Sequence, residues 1–316
     1  LMAVFSGAWL ATGATKYISE HNSQNKNNDV SKVISFSIGL TTVISIFIMI
    51  ILICFNEIVL KLFLSKEITY THYILFTGAF IGNSLRPVFM SIFQGLKQIK
   101  MVVIYRIVVS VLEMLAIVVF VYLMGLTGYF FGIFISSLTI IVVFMYLNRK
   151  RKIEFSLQIV LIDEITKKLL LFGGINLFLT FINLGGLYIQ RKIILSNLDL
   201  IAVGYLQAAI SIRNYSDIVG RASGFYFLPR MSEKIDNAKR NREINNYLFF
   251  SMIIYIIIGT VILLFRDVII RLLLTEAFIY VGTVIPWFII AEYFNNVNRP
   301  FGQTIVGMAR LRLHTI

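Results

Sequence analysis

Arg213, Asp217 and Arg221 stand at i, i+4 and i+8 in an otherwise largely apolar stretch. On a helix this spacing puts all three on one face, where the carboxylate can pair either guanidinium. One carboxylate cannot neutralise two guanidiniums, so a positive charge is left for an anion. The competing account is a structural Arg–Asp–Arg ladder locking two helices together, and the spacing fits both. Arg86 and Arg299 are each followed by proline, Pro87 and Pro300. Proline removes a helix hydrogen bond and opens the helix locally. The two arginines suit gates or head-group contacts, or a kink geometry copied by duplication, which is the simpler account. Glu113 and Glu292 sit midway along apolar stretches. An isolated carboxylate there binds a proton or Na+, or pairs with one of the arginines. Asn176, Asn183 and Gln190 recur every seven residues as a polar stripe. Such a stripe lines a cavity or, more commonly, bonds neighbouring helices. Three scattered histidines give no metal-ligand spacing. Cys54 is the single cysteine, so no intrachain disulfide forms.

These groups carry weight because of the solvent around them. Of 316 residues, 58% are apolar and 14% charged, and the mean hydropathy is +0.83. A soluble domain needs roughly a quarter charged residues to wet its surface. Val33–Phe55, Tyr129–Leu147, Leu169–Ile189 and Tyr247–Phe265 are long runs without a charge. About 20 residues of helix cross the hydrocarbon core. Tyr70–Leu96, Met101–Leu126, Leu200–Phe227 and Phe278–Met308 are equally long but hold the polar and ionisable residues above. Leu1–Ile18, rich in small residues, reads as a ninth span packed against others. It lacks the basic start of a signal peptide. Backbone groups in lipid must bond within their own segment, so the spans are helices; a β-barrel would need alternating segments of about ten residues. The fold class is an all-α integral membrane protein.

The formal charge of +13 has a topological meaning in such a chain. Eighteen cations fall in loops on one face and six on the other: Lys61, Lys66, Arg191, Lys192, Arg266 and Arg271. The richer face is cytoplasmic by the positive-inside rule. Five arginines remain: Arg86, Arg106, Arg213, Arg221 and Arg299. Arg106 lies near the cytoplasmic edge and can snorkel. The basic run Asn148–Lys152 suits a linker held by anionic lipid head groups. Nucleic acid is not a fitting partner, because no soluble domain presents the charge. Lys234–Glu243 mixes signs and reads as a solvated amphipathic loop helix.

The sequence also echoes itself. Arg86-Pro87 and Gly95 match Arg299-Pro300 and Gly307; Val59–Ser65 matches Ile269–Thr275; Ser19-Glu20 matches Ser232-Glu233. The offsets stay between 210 and 213 residues, which points to an internal duplication. Extending the repeat predicts two six-helix lobes in parallel orientation, with a helix missing before residue 1 and two after residue 316. The division expected is an N-terminal lobe over 1–148, a cytoplasmic linker over 149–168 and a C-terminal lobe over 169–316.

Three motifs point to a family. Gly13–Glu20 (GATKYISE) resembles the end of the second helix in Wzx-like polysaccharide (O-antigen) flippases of the MOP exporter superfamily. The Arg86-Pro87 helix ending in Phe93-Gln94-Gly95-Leu96-Lys97 resembles their fourth helix and its Gly-basic turn. Gln190–Ile194 through Val203-Gly204-Tyr205 resembles their seventh-to-eighth helix loop. The resemblance runs over nearly the whole chain, in hydropathy and short motifs, and carries no catalytic signature. It implies a MATE/MOP-type bundle of two six-helix lobes around a central cavity. It also implies alternating-access transport of an undecaprenyl-diphosphate-linked oligosaccharide across the bacterial inner membrane for O-antigen and lipopolysaccharide synthesis. No enzymatic activity and no cofactor follow from it, beyond H+ or Na+ coupling at Glu113 or Glu292. Membrane lipids, polysaccharide polymerase and chain-length proteins are the partners it admits. The substrate contacts would be Arg213, Asp217, Arg221, Arg86 and Arg299, because a guanidinium fork bonds two diphosphate oxygens and stays charged. A MATE-type drug exporter would line its cavity with carboxylates, and here three acids stand against five arginines. A membrane-embedded glycosyltransferase or polymerase would need paired loop carboxylates or an acidic metal motif, which the sequence lacks.

Overall fold

In lipid no hydrophobic effect draws helices together, so a membrane interior closes through small residues, bonds and close packing. The computed structural model describes residues 7–56, 69–151, 163–217, 220, 227, 229–231 and 236–307. Arg221, the echo at Val59–Ser65, Ser232-Glu233, Lys152 and the chain beyond Gly307 lie outside the described residues, as do Lys61 and Lys66.

Ten α-helices are described: α1 (Trp9–Ser23), α2 (Asn27–Cys54), α3 (Tyr70–Gly78), α4 (Phe80–Gly95), α5 (Ile99–Arg151), α6 (Glu164–Asn197), α7 (Leu200–Ser216), α8 (Asn237–Leu264), α9 (Arg266–Leu273) and α10 (Val281–Gly307). A short 3-10 helix, Glu276–Phe278, precedes α10. Among the described residues there is no strand. The chain forms two compact units, Leu1–Phe178 and Leu179–Ile316, and α6 contributes to both.

Several expected spans have different ends. Tyr70–Leu96 is two helices interrupted at Ala79. Within Leu200–Phe227, α7 ends at Ser216 with Asp217 as its C-cap, and Gly220 and Phe227 beyond it are again helical. The run Tyr247–Phe265 belongs to a helix that begins at Asn237, so Lys239, Arg240, Arg242 and Glu243 form its first turns instead of a separate loop helix. Hydropathy registers the slab of lipid, whereas a helix continues for as long as its backbone bonds close.

Inside the first unit hydroxyl side chains share the interior with apolar ones. Ser35, Ser37, Thr41, Ser45, Ser84, Ser91, Ser136 and Ser137 are buried. Several of them bond their own helix, Ser37 donating to the Val33 carbonyl at 2.7 Å and Ser45 to that of Thr41 at 2.6 Å. Large apolar side chains face outward, as with Phe47, Val118, Tyr122 and Leu123. Buried aromatics fill the same interior, with Phe89 stacked on Phe144 at 3.8 Å.

The helix α5 holds two spans joined by one residue. Gly125 has φ 57° and ψ −131°, a backbone state open essentially to glycine alone. The arms then run back against each other, Phe120 meeting Phe131 edge-on and Tyr105 Oη donating to the Ile140 carbonyl at 3.4 Å. A Cβ at Gly128 would collide with the Phe120 carbonyl, so the two backbones touch there. Gly128→Val should cost about 1–3 kcal/mol through overpacking. Thermal unfolding of the purified protein measures this loss. Gly39→Ala, where a Cβ meets nothing within 4 Å, should cause no loss.

The start of α6 is fixed by Asp163. Its Oδ1 accepts from the backbone of Thr166 at 2.9 Å and of Ile165 at 3.0 Å, while Thr166 Oγ1 accepts from the Asp163 N–H at 2.8 Å. Lys32 Nζ stands 3.5 Å from its other oxygen and ties in α2. The Thr166 backbone bond holds the Asp163 carboxyl below its ordinary value of 3.8, with the Thr166 hydroxyl and Lys32 adding to it. A lowered carboxyl stabilises the fold fully above that ordinary value and loses its effect as pH falls below it. Asp163→Ala should cost about 0.5–2 kcal/mol at neutral pH. The native and variant unfolding temperatures should converge on acidification.

Candidate functional site

Unit 2 closes on a core of Ala208, Ala209, Ile212, Ile262, Ile270, Val281, Ile285 and Ile289. Asp199 caps α7 by accepting from the Ala202 N–H at 2.7 Å. Pro286 leaves the Gly282 carbonyl without its helical donor, and Arg266 Nη1 approaches that oxygen at 3.4 Å. These features fix α7 beside α10.

The charged residues meet where α7 ends. Glu292 of α10 is 3% exposed. Its Oε2 lies 3.6 Å from Arg213 Nε and its Oε1 lies 3.7 Å from Arg299 Nη2. The Asn295 amide donates to Oε1 at 3.2 Å, and the Asn296 amide donates to the Glu292 carbonyl at 3.0 Å. Arg299 also donates to Asp217 Oδ1 in a short contact. The arrangement is a chain: Arg213, Glu292, Arg299, Asp217. Tyr255 of α8, buried, packs beside it and donates to the Ile289 carbonyl at 3.0 Å.

This geometry revises the charge count made from the sequence. Asp217 meets Arg299 from α10, and Arg213 has its carboxylate partner in Glu292. Among the described residues the cluster therefore sets two guanidiniums against two carboxylates. No surplus positive charge remains within those four groups, and Arg221 lies outside the described residues. α7 ends at Ser216 with Asp217 as its C-cap, and Arg221, the third member of the expected ladder, lies outside the described residues. Sequence spacing sees neighbours along one helix; the stronger partner comes from a segment about eighty residues away.

In unit 1, Arg86 Nη2 donates to Glu113 Oε2 of α5 at 2.7 Å, both side chains partly exposed. Arg86 and Arg299 thus each meet a carboxylate, but from different places. Glu113 comes from the helix after the Arg-Pro helix, and Asp217 from the segment ending α7, well before α10. Both acids proposed for ion coupling, Glu113 and Glu292, face arginine. Arg106 is exposed. On α6, the amides of Asn176 and Asn183 donate back to the carbonyls of Phe172 and Leu179 at 3.2 and 3.0 Å. Asn183 and Gln190 are exposed.

Asn295, Asn296, Tyr255 and Gly220 join the site without having been singled out from the sequence. The asparagines carried a legible signal, standing three and four residues after Glu292 in an apolar span. Gly220 carried none. A Cβ there would lie 2.5 Å from Asn296 Oδ1 and 2.9 Å from both Arg299 Cζ and Asp217 Oδ1. A larger residue there would push these three side-chain ends aside and loosen the ion pair.

The fold and the buried charges define a multi-pass helical membrane protein with the architecture of MATE transporters. Four described helices are long and apolar enough to cross a membrane: Asn27–Cys54, Ile99–Arg149, Glu164–Asn197 and Ala238–Leu264. An outward-facing multidrug resistance MATE family transporter of the MOP superfamily superimposes with a TM-score of 0.77 and 15% identity, over 97% of this chain and 71% of that one. The Vibrio cholerae MATE transporter VcmN in its bent form gives a TM-score of 0.74 and 13% identity, over 98% and 76%. The MATE transporter ClbM in complex with Rb+ gives 0.72 and 15%, over 100% and 75%. At these identities the likeness is one of fold. No curated protein matches the sequence. The polysaccharide biosynthesis protein family matches residues 1–233, and the chain belongs to that family.

Proposed function

We propose that this protein is a flippase moving a polyprenyl-diphosphate-linked oligosaccharide across the bacterial cytoplasmic membrane by alternating access, for O-antigen-type surface polysaccharide. The carrying observation is Arg213, a guanidinium on a membrane helix that is held only loosely. Its side chain is 36% exposed, its Nε stands 3.6 Å from Glu292 Oε2, and among the described residues that buried Nε has no hydrogen-bond partner. Membership of the polysaccharide biosynthesis family and the fold shared with transporters support the same conclusion.

A diphosphate is the stronger partner for this guanidinium, because it carries more charge and both its oxygens are available, whereas Glu292 Oε1 is shared with Arg299 and Asn295. Protonation of Glu292 removes the counter-charge of Arg213 and frees the fork for the head group. Loss of that proton on the far side returns Arg213 to Glu292 and expels the anion. Na+ at the same carboxylate would act alike. The prenyl chain stays in lipid throughout, so only the polar head needs a path. In unit 1, Arg86 and Glu113 form a second pair of this kind.

The other reading is a cation-coupled drug exporter of MATE type. Two carboxylates, Asp217 and Glu292, converge on Arg299, and ClbM was solved with a monovalent cation. Proteoliposomes of the purified full-length protein separate the possibilities. Prenyl-diphosphate oligosaccharide should become accessible to an external lectin much faster than in protein-free vesicles, with its mass unchanged. No acceleration, with uptake of a lipophilic cation instead, would establish the exporter. A changed mass would establish a transferase.

A further inference from the structure

We infer that the exposed polar row Gln207, Ser211 and Asn214 of α7, flanked by Arg191 of α6, is the track on which neutral sugar residues of the cargo lie; this rests on the flippase reading above. The three residues stand at i, i+4 and i+7, within one narrow sector of the helix. The opposite side of α7 is committed to packing, since Ala209, Ile212 and Ser216 are buried and Ala209 and Ile212 belong to the core shared with Ile285 and Ile289. Gln207 and Asn214 are exposed and Ser211 is half-buried.

A row of amides and a hydroxyl facing acyl chains would be costly, because lipid offers neither donors nor acceptors. The row therefore belongs on a wet surface or against a polar ligand. Arg191 Nη2 donates to Gln207 Oε1 at 2.5 Å, which orients the amide so that its NH2 points away from that bond. Ser211 Oγ donates to the Gln207 carbonyl at 2.9 Å, leaving its lone pairs as acceptors. A donor at Gln207 and an acceptor at Ser211 so follow one another along about 6 Å of helix, the pattern that sugar hydroxyls, each both donor and acceptor, can match; the Asn214 amide extends the polar row. The row carries no carboxylate and ends beside Arg213. A ligand lying on it would run from a neutral chain to a charged head, the polarity of a glycan attached to a diphosphate.

The test uses the purified full-length protein in proteoliposomes with two carriers, a prenyl diphosphate bearing one sugar and one bearing a complete oligosaccharide. Gln207→Leu/Ser211→Ala/Asn214→Leu should slow the oligosaccharide about tenfold, the equivalent of one lost hydrogen bond. The single-sugar carrier should keep its native rate. Equal slowing of both carriers, or no slowing of either, overturns the inference while leaving the flippase reading intact. If the native protein moves neither carrier, the flippase reading itself fails and the inference falls with it. Gln207→Ala and Asn214→Ala, which leave the packed face untouched, must each show the same length-selective slowing on a smaller scale, so a misfolded triple variant cannot hide the answer.

Discussion

Cells carrying Arg213→Gln together with Arg221→Gln should show surface polysaccharide reduced to less than about a tenth of native, with the protein still in the membrane. A charged hydrogen bond is worth about 1.5–3 kcal/mol, so a lost head-group contact at Arg213 alone lowers transport by roughly ten- to a hundredfold. Glutamine keeps a donor toward Glu292 and so preserves much of the local packing. Because Arg213 is partly exposed, its loss should disturb the fold less than the loss of a buried partner would. Arg213→Lys retains the charge without the fork and should restore part of the product. Quantitative blotting of surface polysaccharide, alongside the membrane level of the tagged protein, reads both quantities. Normal polysaccharide in the double variant would end the anion-contact proposal.

Arg299→Ala should act on stability first. Asp217 is 15% exposed, Arg299 17% and Glu292 3%. Taking away the shared guanidinium removes the counter-charge beside part-buried Asp217 and leaves Arg213 as the sole described cation beside Glu292. Breaking such a pair from one side costs about 3–5 kcal/mol, a fall of roughly 10 °C in unfolding temperature. Arg299→Gln combined with Asp217→Asn removes both charges and should recover most of that loss. A double variant as unstable as Arg299→Ala would mean that side-chain shape, and not charge compensation, holds α10 against the end of α7.

The helical membrane architecture was legible because lipid imposes one backbone solution on any long apolar run. The limits were legible only roughly. Nothing in the composition of Tyr70–Leu96 marks the break at Ala79, since alanine is a good helix former. The charged start of α8 read as a separate loop helix because hydropathy scores side chains, while its continuation into the span is set by backbone bonds running on from the Asp236 cap, which accepts from the Ala238 N–H at 3.3 Å. At the site, Arg213, Asp217, Glu292 and Arg299 were each recognisable as membrane charges. Their pairing was not, because the i, i+4 rule speaks only of one helix and Glu292 arrives from another. The duplication gave Arg86 and Arg299 equivalent places, yet each found its carboxylate on a different element.

The single-residue reversal at Gly125 bears on how the chain enters the membrane. With no hydrophilic connector between the arms of α5, neither arm has a polar loop to hold it at the surface while the other inserts. The two must partition together as a preformed hairpin, already closed along Gly128 and Phe120. A side chain that opened this crossing would then act during biogenesis, lowering the yield of inserted protein before any folded molecule exists to be destabilised.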